Sequence, residues 1–463
     1  MPPGASSSPL GKDAPLFIAY ISLITLALLP IYFGSFQSLR TPASVLKAKR
    51  DQKKAKKDKK TADEDDESDG EDEEDEPLAT ETLTSQDAWL FPLIGSLVLF
   101  SMYLVFKFLD RKWVDRVLGA YFAVVGAAAV LKVVVSLYAW SIGPAKWKEA
   151  RKYKVVVTHR LTEKERKEEE KARREEREKK AKKGESVADV EDPADVPRKR
   201  TILLTRLAEA HAGLALFSLL PIIAFYTTRH WLASNSIALC LALNAVSLMG
   251  LDSFLTGSIM LGGLFVYDVF WVFGTEVMVS VARNFDAGPI KIIFPKNLPQ
   301  VAAYYLGAEG KGKTMQAILE VVRGAPKWQM TMLGLGDIVI PGIFIALALR
   351  FDQHLHSSSL SPSKLANFRR TDVNFPKPYF TATLTAYVAG LATTMGVMHV
   401  FQAAQPALLY LSPACVAAVA LQSLKRGEWK EVWRWTDGGE EAEGKEESKK
   451  GGDKKKGKKT KAA

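Results

Sequence analysis

The chain has 463 residues, 47% hydrophobic and 25% charged, with a formal net charge of +11. These averages hide segregation: charge is piled into a few tracts, and between them lie apolar runs of about 20 residues, the length that spans a bilayer as a helix. That excludes an ordinary soluble domain. The positive charge sits in loops and tail and is not a nucleic-acid footprint, and two cysteines inside apolar runs, Cys240 and Cys415, exclude a disulfide framework.

The first apolar run, 15–36, lacks a basic leader region and a small-residue cleavage site, and reads as an uncleaved anchor. Further runs follow at 88–108, 117–140, 213–228, 231–250, 254–281, 330–349, 379–400 and 405–424, nine in all, the fourth being the weakest by length. The expected fold class is therefore all-α and polytopic, with nine transmembrane helices. Three hydrophilic tracts interrupt it. Residues 40–86 turn from basic (KAKRDQKKAKKDKK) to acidic (DEDDESDGEDEEDE) and cannot bury a core. Residues 146–200 include LTEKERKEEEKARREEREKKAKK, which has no apolar face and suits a solvated helix held by ion pairs between residues four apart. The tail 436–463 is rich in Glu, Gly and Lys. The chain thus divides into an N-terminal segment with the first span (1–36), a charged loop (37–87), spans two and three (88–140), a charged insertion (141–200), spans four and five (201–253), a core of spans six to nine (254–424) and a basic tail (425–463).

Lysine and arginine near span ends set orientation. One basic residue, Lys12, precedes the first span, whereas Arg40, Lys47, Lys49 and Arg50 follow it. The N-terminus is expected on the lumenal side, and nine spans then leave the C-terminus in the cytosol. Segment 282–329 obeys the rule poorly, since it carries Arg283, Lys291, Lys296, Lys311 and Lys313 on the lumenal side. The last five residues, KTKAA, place Lys459 and Lys461 in a K-x-K-x-x pattern resembling the dilysine retrieval signals of endoplasmic reticulum membrane proteins.

The chemistry-bearing residues are the ones that fit their spans worst. In LGGLFVYDVFWVFG, Asp268 follows Tyr267 inside the sixth run. A carboxylate at the centre of a membrane helix costs about 2.5–3.5 kcal/mol, a cost reduced by protonation or by a polar partner. A partner comes one span later, in QMTMLGLGDIVIPG, where Asp337 is the lone ionisable residue of the seventh run. Consecutive spans run antiparallel. Asp268 lies six residues before Gly274, and Asp337 seven after Met330. At a rise of about 1.5 Å per residue both carboxyls sit roughly 9–10 Å below the same, non-cytosolic face, a match that loosens by a few ångströms if the sixth helix continues to Val281. Two close carboxyls in a medium of low dielectric constant share a proton, which suits aspartyl proteolysis: the ionised one activates a water, the protonated one polarises the scissile carbonyl. The same pair suits a proton-coupled transporter or leak channel equally well. Gly334 and Gly336 allow close backbone approach beside Asp337, although each glycine singly, like Gly262 and Gly263, is a packing position. Glu276 reads as interfacial and His399 as a core or interface residue. Pro406, in QPALLYL, opens the ninth run and disfavours helix at Gln405, leaving backbone groups there free for a ligand.

Together these residues resemble the signal peptide peptidase and presenilin family of intramembrane aspartyl proteases, whose motifs stand here in order as Tyr267-Asp268, Gly334-Leu335-Gly336-Asp337 and Pro406-Ala407-Leu408. The surrounding text (NSIALCLALNAVSLM, AQPALLYLSPAC) is similar to the signal peptide peptidase branch rather than to presenilins, and the linker between spans six and seven is shorter than a presenilin's. The resemblance implies a presenilin-like fold with Asp268 and Asp337 as the catalytic pair. It implies that Pro406, Ala407 and Leu408 shape the active site and that the protein resides in the endoplasmic reticulum. Substrates would be remnant signal peptides and type II or tail-anchored membrane segments. No metal or organic cofactor and no nucleic acid is expected. Membrane lipid, the machinery of endoplasmic-reticulum-associated degradation and a second copy of the chain are the other partners in view, and a non-catalytic adaptor role stays open. A helical substrate must unwind before attack, and the extended segment then needs backbone partners in the hydrocarbon region. Linker 282–329 and the Pro406-Ala407-Leu408 segment are expected to supply them by strand pairing.

Overall fold

The computed structural model describes residues 9–42, 44–45, 48, 81–143, 152–160, 199–208, 210–275, 277, 288–297, 329–361, 364–365, 368, 372–401 and 405–437. The expected helix of the 146–200 tract, most of the acidic loop, the tail beyond Asp437 and Glu276 lie outside these residues.

Each of the nine apolar runs contains a helix: α1 (Pro9–Gln37), α2 (Ser85–Phe108), α3 (Arg111–Ile142), α4 (Ala210–Thr228), α5 (Trp231–Leu248), α6 (Phe254–Phe273), α7 (Gly336–Ser358), α8 (Pro378–Phe401) and α9 (Leu408–Arg426), followed by a short α10 (Trp429–Arg434). Among the described residues, eight are long and apolar enough to cross a membrane; the shorter apolar helix is the fourth, Gly213–Thr228. The protein is a polytopic α-helical membrane protein.

Contacts divide the chain into two units. The larger, residues 1–130 and 221–463, is built around α7, in which every residue from Pro341 to Gln353 is buried. Helices α1, α5, α6, α8 and α9 pack on it, while α2 packs on α6. Phe254 of α6 meets Phe344 and Phe351 of α7 edge-on, at 5.8 and 5.5 Å between ring centroids. A Cβ on Gly257 would stand 2.6 Å from the Phe344 ring, so glycine sets how closely α6 and α7 approach. On α2 the large side chains point outward: Leu90, Leu93, Ile94, Leu97 and Val98 are all exposed, a surface suited to hydrocarbon. The second unit, residues 131–220, contains an antiparallel pair, β2 (Lys152–Arg160) with β3 (Lys199–Ala208). The apolar runs KVVV and TILL, with β-branched Val155, Val156, Val157, Thr201 and Ile202, carry that signal, which the charge of the surrounding tract masks.

Two further strand pairs belong to the larger unit. Strand β1 (Glu81–Leu83) runs parallel to β4 (Met249–Leu251). Strand β5 (Lys291–Pro295) pairs antiparallel with β6 (Met330–Gly334), Lys291 opposite Gly334 and Pro295 opposite Met330. The second of these corrects the expectation for the seventh run. Met330 does not begin a helix; residues 330–334 are strand, and α7 starts only at Gly336. Asp337 therefore lies in the first turn of α7, not two turns inside it, and the depth match based on continuous helix does not hold. Local chemistry explains the break: glycines at 334 and 336 weaken helix on either side of Leu335, while Thr331 adds a hydroxyl bond to the Phe294 carbonyl across the ribbon, 2.8 Å.

Candidate active site

Asp268 is 5% exposed, on the face of α6 that packs against α9. Its carboxylate accepts a hydrogen bond from the backbone N–H of Leu408. Leu408 is the first residue of α9, and the opening N–H groups of a helix have no partner within it. Pro406 and Ala407, both buried, turn the chain into α9 so that this unspent donor and the positive end of the helix dipole meet the carboxylate. The segment expected to shape the site thus touches Asp268 directly.

Asp337 approaches from the other side. It is half-buried at the N-terminus of α7, close enough to Asp268 for their charges to interact. A Cβ on Gly334 would lie 3.4 Å from the Asp337 Oδ2, so the carboxylate rests against the end of β6. Around the Cβ position of Gly336 nothing stands within 4 Å, which leaves open space next to Asp337. Leu335, partly buried, joins strand to helix: its N–H donates to the Ile290 carbonyl, 3.0 Å, and its carbonyl accepts from Val339, 2.8 Å.

Two neighbours of Asp337 carry no signal in the sequence. Pro341 lies four residues on and has no N–H to return to the Asp337 carbonyl. The hydroxyl of Tyr387, fully buried on α8, points at that carbonyl at 3.4 Å and takes the place of the missing helical donor. Their link is tertiary, across 50 residues.

The remaining expected residues are placed as follows. Tyr267 is half-buried and turns toward α2, its ring 3.7 Å from the Cβ position of Gly95 and 6.4 Å from the Trp271 ring centroid. Trp271 in turn donates to the Ser96 hydroxyl, 3.1 Å. Gly263 faces Pro92 of α2, with 2.6 Å left for a Cβ, whereas the Cβ position of Gly262 is open. Lys459 and Lys461 lie outside the described residues.

Fold and site define a class: an α-helical polytopic membrane protein that brings two carboxyls together between neighbouring buried helices. The signal peptide peptidase family model matches residues 75–438. A signal peptide peptidase of Mus musculus is 33% identical over 453 residues, 96% of this chain and 92% of the relative. One of Homo sapiens is 33% identical over 437 residues, 94% of this chain and 88% of the relative. A probable intramembrane protease of Schizosaccharomyces pombe is 40% identical over 209 residues, 45% of this chain and 58% of the relative. No solved structure matches the chain. The chain belongs to the signal peptide peptidase family of intramembrane proteases.

Proposed function

We propose that the protein is an aspartyl protease of the endoplasmic reticulum membrane whose catalytic pair is Asp268 and Asp337. The observation that carries this reading is their convergence from α6 and α7, with the Leu408 N–H on one and open space beside the other. The pair shares one proton. The ionised carboxylate takes a proton from a bound water, which attacks the scissile carbonyl. The protonated partner polarises that carbonyl and then protonates the leaving amine. Substrates are remnant signal peptides, in keeping with the names of the relatives that cover the chain, and type II or tail-anchored segments. The N-terminus is lumenal, the tail cytosolic, Lys459 and Lys461 serve retrieval, and residues 254–424 form the catalytic core.

An unwound substrate pairs as an added strand. Of the two segments in view for this pairing, linker 282–329 has in β5 a strand that already spends one edge on β6, and Pro406-Ala407-Leu408 enters α9 at Leu408. On β6, Met330, Met332 and Gly334 face away from β5, and among the described residues their backbone groups have no protein partner. A substrate strand along this edge satisfies them, which the hydrocarbon region demands, and delivers its carbonyls toward Asp337.

The test is incubation of purified protein with a labelled type II transmembrane peptide. The wild type cleaves within the span. Asp268→Asn and Asp337→Asn each lower cleavage by about 10²–10⁴-fold or more. Persistent cleavage in either variant removes the pair from the chemistry. A wild type that leaves the peptide intact yet shows Asp-dependent ion flux makes the protein a transporter or leak channel.

A further inference from the structure

A two-stranded ribbon has two outer edges, and this one treats them differently. Leu335 N donates to Ile290 O, 3.0 Å, and Lys296 N to Gln329 O, 2.7 Å, so the hydrogen-bonded pairs fall at Ile290, Ile292, Phe294 and Lys296. The alternation turns the backbone groups of Ile293 away from β6. Both are taken by one side chain: Asn235 Nδ2 donates to the Ile293 carbonyl, 2.7 Å, and Asn235 Oδ1 accepts from the Ile293 N–H, 2.9 Å. A primary amide used in this way supplies the donor and acceptor of a peptide group, so Asn235, 4% exposed near the start of α5, stands where a third strand would bond. Two residues on, Pro295 has no N–H to offer. Among the described residues no such substitute covers Met332, which is 59% exposed on the strand that leads into Asp337.

Helix α5 packs along β5, and Asn235 is the residue by which it meets the outer edge of the strand. A cavity of about 640 Å³ lies over the ribbon face that carries the Lys291, Ile293 and Met330 side chains, and Phe225, Trp231 and Ser234 line it as well. That volume is in the range of ligand pockets and admits a short peptide segment. Strands are spaced by about 4.8 Å, so a segment on the outer edge of β5 lies three spacings, about 14 Å, from one on the outer edge of β6. At that distance its carbonyls are out of reach of either carboxyl.

We infer that Asn235 is a positioning residue that occupies the outer edge of β5 in the manner of a strand, so that an extended substrate segment adds only along β6 beside Asp337. The inference rests on the β6-edge reading above and goes beyond it by naming what denies the alternative edge.

The test uses full-length protein carrying a photoreactive amino acid in place of either Lys291 or Met332, with a labelled type II transmembrane peptide. With Asn235 intact, the peptide labels position 332 and not 291. Asn235→Leu frees the Ile293 groups without a large change in volume. It is expected to gain labelling at 291 and to lower kcat and KM together, by about tenfold, with kcat/KM little changed, because part of the bound peptide is held in a non-productive place. Asn235→Asp, which keeps the acceptor for the Ile293 N–H, restores part of both. An unchanged label pattern and kcat in Asn235→Leu overturns the proposal. So does an equal loss of labelling at both positions with a lowered melting temperature, which makes Asn235 a plain anchor of β5. If protein with Asn235 intact cleaves the peptide but never labels position 332, the β6-edge reading itself fails, an outcome told apart by needing no Asn235 variant.

Discussion

At the scale of single residues, the site rests on backbone groups that helices leave over. Leu408 gives Asp268 the N–H that the first turn of α9 does not use, and Pro341 leaves the Asp337 carbonyl to the Tyr387 hydroxyl. Removing that hydroxyl should loosen the first turn of α7. Tyr387→Phe is expected to lower kcat with KM little changed, by about 1 kcal/mol of support, the worth of an ordinary hydrogen bond. Steady-state cleavage of a transmembrane peptide checks it, and an unchanged kcat removes Tyr387 from the site. Tyr267 is the contrasting case. Its motif position suggests chemistry, but its ring packs toward Gly95 and Trp271. Tyr267→Phe should retain wild-type cleavage within about twofold, since a ring that packs keeps its contacts without the hydroxyl.

At the scale of elements, the least legible features are those where one segment completes another. Helix α8 begins at Pro378, a favoured first position, but Lys377 before it offers no capping oxygen. The cap comes from Asp352 of α7, 2% exposed, whose two carboxylate oxygens accept from Tyr379 N at 3.2 Å and Phe380 N at 2.8 Å. Asp352→Ala leaves two buried N–H groups unpaired and should destabilise the fold by about 1–3 kcal/mol. Thermal unfolding in detergent reads this as a lowered midpoint; an unchanged midpoint would mean that water replaces the carboxylate. The ribbon teaches the same lesson. Residues 330–334 are apolar enough to extend the seventh helix, and only their pairing with β5 makes them strand. That pairing moves Asp337 to a helix terminus and an open strand edge, the two features on which the substrate reading depends.

At the scale of the whole molecule, the segments that follow α1 and α10 are tied to the central helix in its half away from Asp337. Arg350 of α7, 3% exposed, pairs with Asp437 at 2.6 Å, and Arg40 beyond α1 reaches the same carboxylate at 3.8 Å. Thr436 bridges Ser253 ahead of α6, and Asp437 N donates to Asp252 O at 2.6 Å. One short segment therefore holds the far ends of α1, α6 and α7 together. Further nitrogens of both guanidinium groups are buried without a partner, so among the described residues the shared carboxylate is the group that compensates Arg350, while the Arg40 side chain stays 26% exposed. Asp437→Ala should cost about 3–5 kcal/mol, the penalty of a buried charge left alone, and Arg350→Met in the same chain should recover much of it. A double-mutant cycle on thermal stability checks this, and additive effects would mean that the two residues are not coupled.

The sequence by itself determined the membrane class, the nine helical runs, the two carboxyls and the order of the three motifs. These follow from length and apolarity against the bilayer, and from the rarity of charge within a span. The tertiary structure alone decided that the seventh run is broken into strand and helix, that Leu408 meets Asp268, that Tyr387 serves Asp337, and that Asn235 closes one edge of the ribbon. The reason is common to all four. Each satisfies a backbone group left unpaired by local structure, and its partner lies on another element, where no period or propensity in the sequence can point.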